Sequence, residues 1–384
     1  MALSRPLAVY VHVPFCHLRC NFCNLHAYGM GDYGPLPSLR ADYTDALCRE
    51  VGLWAEKIGR ARVETVFFGG GTPTELSVAQ LGAVLDRIRD TFDVAPDAEV
   101  TVEGYPGLPR SYLAGLRDIG VNRVSFGVQS FEPRLAAMLD RQHTPAMVRQ
   151  TVTSAQTLGL SVALDFIYGL PTQTIEDWRA TLDEALALNP DHLSLYALSI
   201  EEATRLRALI QHGALPAPDG DVAAEMYRVA QERLAARGYA QYELSNWARP
   251  GYACRHNQVY WRNEPWLGVG AGAYGWLDGR RSENVASPTR YIATVGAGQL
   301  PVAQFEAIDR PVEMSETVML GLRMRQGVDL GAFAARFGCR LEDVYAGPIA
   351  EMRDWGLLVI EDDHLRLTPA ALLVANEVFV RFVP

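Results

Sequence analysis

Over the first 200 residues the chain alternates between two hydrophobic periodicities. Short apolar runs predict strands over 9–13, 65–68, 98–102, 123–127, 162–167 and 193–198. Between them, segments apolar at helical spacing predict helices over 39–57, 77–92, 109–119, 145–158 and 175–188. Strand and helix in alternation imply parallel strands joined by right-handed crossovers. Six such units fit an α/β fold of open, partial (β/α)6 barrel type better than a closed barrel of eight, and such a barrel gathers its site at the carboxyl ends of the strands. Past residue 198 the alternation weakens, leaving an amphipathic helix over 221–237 and a strand over 239–244. The last portion reads as three helices, a hairpin of 357–360 and 364–367 around Glu361-Asp362-Asp363, and a helix, with Ser315 as the cap of the first. That order suggests a small winged-helix-like domain. The chain divides accordingly into a barrel (1–200), a barrel extension and lid (201–310) and a carboxy-terminal domain (311–384).

Composition narrows the function classes. With 49% hydrophobic residues in 384, the chain can bury a large core. A net charge of −10 without a long basic run argues against nonspecific nucleic-acid binding. Acidic Glu342, Asp343, Glu351, Asp354, Glu361 and Asp362 turn the winged-helix-like portion away from DNA and towards packing or covering a substrate. Six cysteines are few for a secreted scaffold and suit a reducing compartment. The apolar runs are too short to span a bilayer, and the opening Met-Ala-Leu-Ser-Arg-Pro is no signal peptide. A cytoplasmic protein is expected.

The chemistry-bearing residues fall at the predicted strand ends. Directly after the first strand comes Cys16-His-Leu-Arg-Cys20-Asn-Phe-Cys23, a C-x3-C-x2-C spacing. Three thiolates on one loop can hold three corners of an iron–sulfur cube and leave the fourth iron open to a small molecule. A disulfide would leave one thiol over, and a zinc site would need His17 or His26 as its fourth donor. The second strand runs into Gly69-Gly70-Gly71-Thr72-Pro73-Thr74, which is either a tight strand-to-helix turn or a backbone surface for a ligand; it lacks the Gly-Lys-Ser/Thr of a P-loop. Glu103 ends the third strand, placed for a ribose or an ammonium group or else solvated. The fourth presents Gln129, with Arg141 following as a carboxylate clamp or a surface ion pair. Asp165 interrupts the apolar fifth strand and needs a partner there. Further on, Cys254-Arg-His-Asn-Gln-Val-Tyr-Trp261 and a glycine-rich run to Gly275 suggest a lid over the barrel mouth, or a structural loop with a satisfied histidine.

Taken together, Tyr10-Val-His12-Val-Pro-Phe-Cys16, the cysteine loop, Gly-Gly-Gly-Thr-Pro-Thr, Gly127-Val-Gln129-Ser-Phe, Ile167-Tyr-Gly-Leu-Pro171 and His256-Asn-Gln-Val-Tyr-Trp261 resemble the radical S-adenosylmethionine (SAM) proteins of the HemN/HemW group over nearly the whole chain. The resemblance implies a radical SAM barrel with a HemN-type carboxy-terminal domain, and a [4Fe–4S] cluster on Cys16, Cys20 and Cys23. It implies that Gly70, Gly71 and Thr72 contact the methionine end of SAM, that Glu103, Gln129, Arg141 and Asp165 line its carboxylate and ribose, and that Tyr10 lies beside the cluster. A flavodoxin or ferredoxin would supply the electron.

Within the group, the coproporphyrinogen III oxidases carry a fourth cysteine where this chain has Leu25, and their amino-terminal extension is missing here. The haem chaperones usually differ at Asn24-Leu25, Gly104-Tyr105-Pro106 and Gly272-Ala273-Tyr274, three places around the cluster and pocket. An altered pocket on a retained scaffold suits a new substrate. The expectation is therefore an enzyme resembling the class C methyltransferases. Such an enzyme uses two SAM molecules, one for the deoxyadenosyl radical and one for a methylene radical, to methylate or cyclopropanate an unsaturated or heteroaromatic small molecule. Tyr105, Tyr274 and His256 would be its candidates for moving the final proton. The alternative is a haem chaperone, with haem binding dependent on His256.

Overall fold

The computed structural model describes residues 5–29 and 36–383; the opening four residues, part of the segment read as no signal peptide, lie outside these. The barrel runs β1 (Leu7–Val13), α1 (Leu36–Ile58), β2 (Arg62–Gly70), α2 (Val78–Thr91), β3 (Asp93–Gly104), α3 (Arg110–Asp118), β4 (Arg123–Gln129), α4 (Pro133–Met138), α5 (Pro145–Thr157), β5 (Ser161–Tyr168), α6 (Ile175–Ala187) and β6 (His192–Ala197). The six strands pair in parallel in chain order. Their alternation sorts side chains between two faces. On β1, Val9, Val11 and Val13 are fully buried towards the helices, while Tyr10 and His12 turn inward. The partial (β/α)6 barrel is as the periodicity predicts. Sequence reading missed α4, a single short stretch opened by Pro133 at its first turn.

The middle segment extends the barrel sheet at both edges. It contains α7 (Arg205–Gln211), α8 (Gly220–Ala235), β7 (Ala240–Glu243), β8 (Asn246–Ala248), α9 (Arg255–Trp261), β9 (Trp266–Val269), β10 (Tyr274–Leu277), β11 (Arg280–Asn284), α10 (Pro288–Gly296) and β12 (Val302–Ala307). β8 pairs antiparallel with β6 and β9 parallel with β1, giving a 12-stranded sheet ordered β12-β11-β10-β9-β1-β2-β3-β4-β5-β6-β8-β7.

The lid reading of residues 254–261 is corrected. The backbone N–H groups of Arg255 and His256 each donate to the Glu99 carboxylate at 3.0 Å. Glu99 lies on β3, four residues before the strand-end Glu103 on the same face, about 13 Å back from the mouth. An acidic side chain against the orphan donors of a helix start is a favourable pairing, and here it seats α9 in the floor of the barrel.

The carboxy-terminal portion contains α11 (Arg310–Gly321), β13 (Val328–Asp329), α12 (Leu330–Phe337), α13 (Leu341–Val344), α14 (Ala346–Asp354), β14 (Leu358–Glu361), β15 (His364–Leu367) and α15 (Ala375–Phe379). The expected hairpin gains β13 as a third strand, in the order β13-β15-β14. Ser315 does not cap α11. Asp309 does, accepting from the Val312 N–H at 3.0 Å, with Pro311 in the first turn and Ser315 buried within the helix. An Asp two residues before a proline is the stronger start signal.

Candidate functional site

β1 and β2 end side by side, with Val13 opposite Gly70, so the cysteine loop and the glycine turn are neighbours by register alone. Hydrogen bonds tie them: Gly71 N–H to Val13 O at 2.8 Å and Thr72 N–H to Phe15 O at 2.7 Å. The Thr72 hydroxyl points at Cys16 Sγ, 3.6 Å away. Gly70 has φ +111° and faces the His12 ring, while a Cβ on Gly71 would come within 2.7 Å of Phe15 O and 3.0 Å of Cys16 Sγ. The glycines therefore admit the cysteine loop. The loop is held at its far side by Asn21, whose side-chain amide donates to Met138 O and whose own carbonyl accepts from Leu206 N–H, each at 3.0 Å. Phe22 packs on an apolar cluster of Leu135, Leu139, Ile167 and Leu170.

A cavity of about 650 Å³ opens at the carboxyl ends of the strands, and Cys16, Cys20, Cys23, Gly70, Gly71, Thr72, Glu103, Tyr105, Gln129, Arg141 and Asp165 all line it. Six different strand ends and loops supply this set, as expected for the fold. Gln129 sits at φ +67°, just past a register shift between Gly127 and Gln129 on β4. Such a bulge re-aims a side chain, and a Cβ at Gly127 would fall 2.9 Å from the Gln129 amide. Arg141 donates to the Gly127 carbonyl and to Cys20 Sγ, the latter at 3.4 Å, and lies 4.4 Å above the Tyr105 ring.

Burial pushes the Glu103 carboxyl up to about 8, reinforced by nearby Asp165. Asp165 is raised by burial as well, moderated by hydrogen bonds from Ser194 and Ser125, the latter at 3.0 Å. Two carboxyls held short of full ionisation beside one guanidinium suit a zwitterionic ligand carrying an ammonium, a carboxylate and ribose hydroxyls. The three thiols are unbridged and half-buried, and burial lifts Cys16 to about 11 and Cys23 in the same direction. Loading iron here releases protons. Among the described residues no three His, Cys, Asp or Glu side chains converge as they would on one metal ion. The donor set, three soft sulfurs on one loop facing an open cavity, fits a four-iron cluster that would take one thiolate on each of three irons.

Three of the expected residues stand apart from this cavity. Tyr10 lies behind the glycine turn, its hydroxyl 3.0 Å from His12 Nδ1. Tyr274 is on β10, half exposed and paired with Glu283. His256 is buried in the floor, with Nδ1 2.8 Å from the Thr65 hydroxyl, Nε2 2.9 Å from the Tyr260 hydroxyl, and the ring stacked on Phe67. Tyr105 lines the cavity, yet its hydroxyl accepts N–H bonds from Gln142 and His143 at 2.7 and 2.8 Å. It braces the loop that carries Arg141. The sequence does not single out Ser125, Tyr196 or His17 as lining residues; the strand-end rule applied to the sixth strand finds Tyr196, whereas Ser125 lies mid-strand.

Residues 10–185 match the radical SAM superfamily and residues 308–374 the HemN C-terminal domain. The heme chaperone HemW of Mycobacterium tuberculosis is 40% identical over 98% of this chain and 94% of its own. That of Bacillus subtilis is 34% identical over 98% and 99%. Among solved structures, the coproporphyrinogen III oxidase HemN of Escherichia coli superposes with a TM-score of 0.85 at 25% identity, over 98% of this chain and 90% of its own.

These relatives overturn the methyltransferase expectation and, with it, the assignment of the chain as a turnover enzyme: at full-length coverage they are named heme chaperones. The geometry explains why the three sequence departures misled. Tyr105 braces a loop, Tyr274 lies outside the cavity, and Asn24 and Leu25 stand exposed at its rim. Membership of the family implies a [4Fe–4S] cluster and SAM, which the thiols and the charged and amide side chains lining the cavity fit. The chain belongs to the HemN/HemW group of radical SAM proteins.

Proposed function

We propose that this protein is a haem-binding chaperone that keeps the cluster and SAM pocket of its barrel. The observation carrying the reading is the end-to-end similarity to heme chaperones HemW, 40% identical across 98% of the chain. In this reading Cys16, Cys20 and Cys23 hold the cluster, which supplies one-electron chemistry when bound. Gly70, Gly71 and Thr72 offer backbone and hydroxyl to the methionine end of SAM. Arg141 faces its carboxylate, and Glu103, Gln129 and Asp165 its ammonium and ribose. Tyr10 supports the cluster side from behind the glycine turn. The second SAM molecule and the heteroaromatic acceptor belonged to the methyltransferase expectation and fall with it.

A flavodoxin- or ferredoxin-type donor supplies the electron that reduces the cluster. The cytoplasm supplies the reducing conditions that six unbridged cysteines require. No helix among the described residues is long and apolar enough to cross a membrane.

The test is a haem titration of anaerobically reconstituted protein, with cluster content measured in the same sample. Saturable binding of one haem per chain is expected. Absence of saturable binding overturns the reading.

A further inference from the structure

We infer that His17 is the axial ligand through which this chain takes haem, and that haem lies across the mouth of the cluster cavity. The inference rests on the chaperone reading above.

Haem iron bound to protein by an imidazole needs a ring nitrogen free to face it. The chain has eight histidines, and the structure removes most of them. His12 spends its two nitrogens on the Tyr10 hydroxyl and the His26 carbonyl. His256 spends both on Thr65 and Tyr260, and His364 both on Gln326 and the Asp362 carbonyl. His192 is buried with Nε2 on the Tyr242 hydroxyl, and His143 is buried against Tyr105. Exposed His17, His26 and His212 remain. Of these, His17 alone lines the cavity. The ring of His26 instead lies against Gly272, and His212 follows α7.

The surroundings of His17 fit a flat apolar macrocycle with acidic side chains. Leu18, Leu25, Met147 and Tyr196 are each between 37% and 50% exposed, and all four line this cavity. Large apolar side chains left open around one mouth mark a binding surface. Arg19 is exposed at the same rim and suits a propionate. The cavity, about 650 Å³ and shared with SAM, is too small to enclose haem beside that ligand, so haem covers the opening.

The experiment compares wild type, His17→Ala, His26→Ala and His212→Ala, each loaded with cluster so that the three cysteines are engaged and each checked for iron and sulfide. Haem is titrated anaerobically and followed by Soret absorbance and by the ferric electron paramagnetic resonance signal. The expected result is a shifted Soret band and a haem Kd at least about tenfold weaker for His17→Ala alone. Added imidazole should restore the wild-type spectrum of that variant. A His17→Ala protein with wild-type spectrum and affinity overturns the ligand assignment while leaving the chaperone reading in place. A wild-type chain that binds no haem overturns both.

Discussion

At Gly71 the cysteine loop and the glycine turn come closer than any side chain allows. A Cβ there would meet backbone of Phe15 and the sulfur of Cys16, and neither can move without shifting the loop. Gly71→Ala is expected to cost about 1–3 kcal/mol of strain at that contact, read as a sharply reduced iron and sulfide content after reconstitution, with the fold intact by circular dichroism. Glu103 acts on the other end of the ligand. Glu103→Gln keeps the shape and removes a carboxyl that can ionise when the ammonium of SAM comes beside it, and the expected outcome is a SAM Kd raised about tenfold, the effect of one charge-assisted hydrogen bond. Calorimetric titration of SAM into the cluster-loaded variant checks it, and an unchanged Kd would remove Glu103 from the ligand set. Both residues were legible in the sequence because each follows a strand directly, so that period and position alone locate them. Tyr105 was equally visible, but its role was not, since its hydroxyl partners at Gln142 and His143 lie on another strand's loop.

Among the elements, α9 shows where local pattern stops being informative. Its sequence announces an unusual helix, yet its place depends on Glu99, separated by 156 residues from Arg255, and on Thr65, separated by 191 from His256. No spacing rule connects such positions, so a polar run that suggests a lid in the sequence fills the floor in the structure. A stability prediction follows from that burial. His256 is held near pKa 3 by loss of solvent, against about 6.5 in an unfolded chain. Between those values the unfolded chain binds the extra proton, so stability falls as pH drops below about 6.5, by up to about 1.4 kcal/mol per pH unit from this group. Buried His12 and His192 are lowered too and add in the same direction. His256→Gln should melt lower at pH 7.5, having lost the stack on Phe67 and part of the hydrogen bonding, and should show a shallower decline between pH 6.5 and 5. Thermal melts across that range decide; an identical slope would place the histidine in solvent.

For the whole molecule, the barrel was readable because parallel strands joined by helices repeat one short pattern six times. The sheet extension on both flanks was not. β8 and β9 are three and four residues long, and each pairs with a strand distant in sequence, so neither carries a periodic signal of its own. The family was legible from motifs at strand ends, whereas the choice between methyl transfer and haem handling was not, because residues such as Tyr274 look like pocket changes until the structure sets them outside the cavity. In the proposed function an intact radical SAM cavity serves haem binding rather than turnover. The most direct test is an anaerobic haem titration of cluster-loaded, SAM-saturated protein under reducing conditions, with SAM breakdown products quantified in the same vessel. One tightly bound haem per chain is expected, with no S-adenosylhomocysteine accumulating beyond one equivalent. No saturable haem binding, or S-adenosylhomocysteine formed over many turnovers, would contradict it.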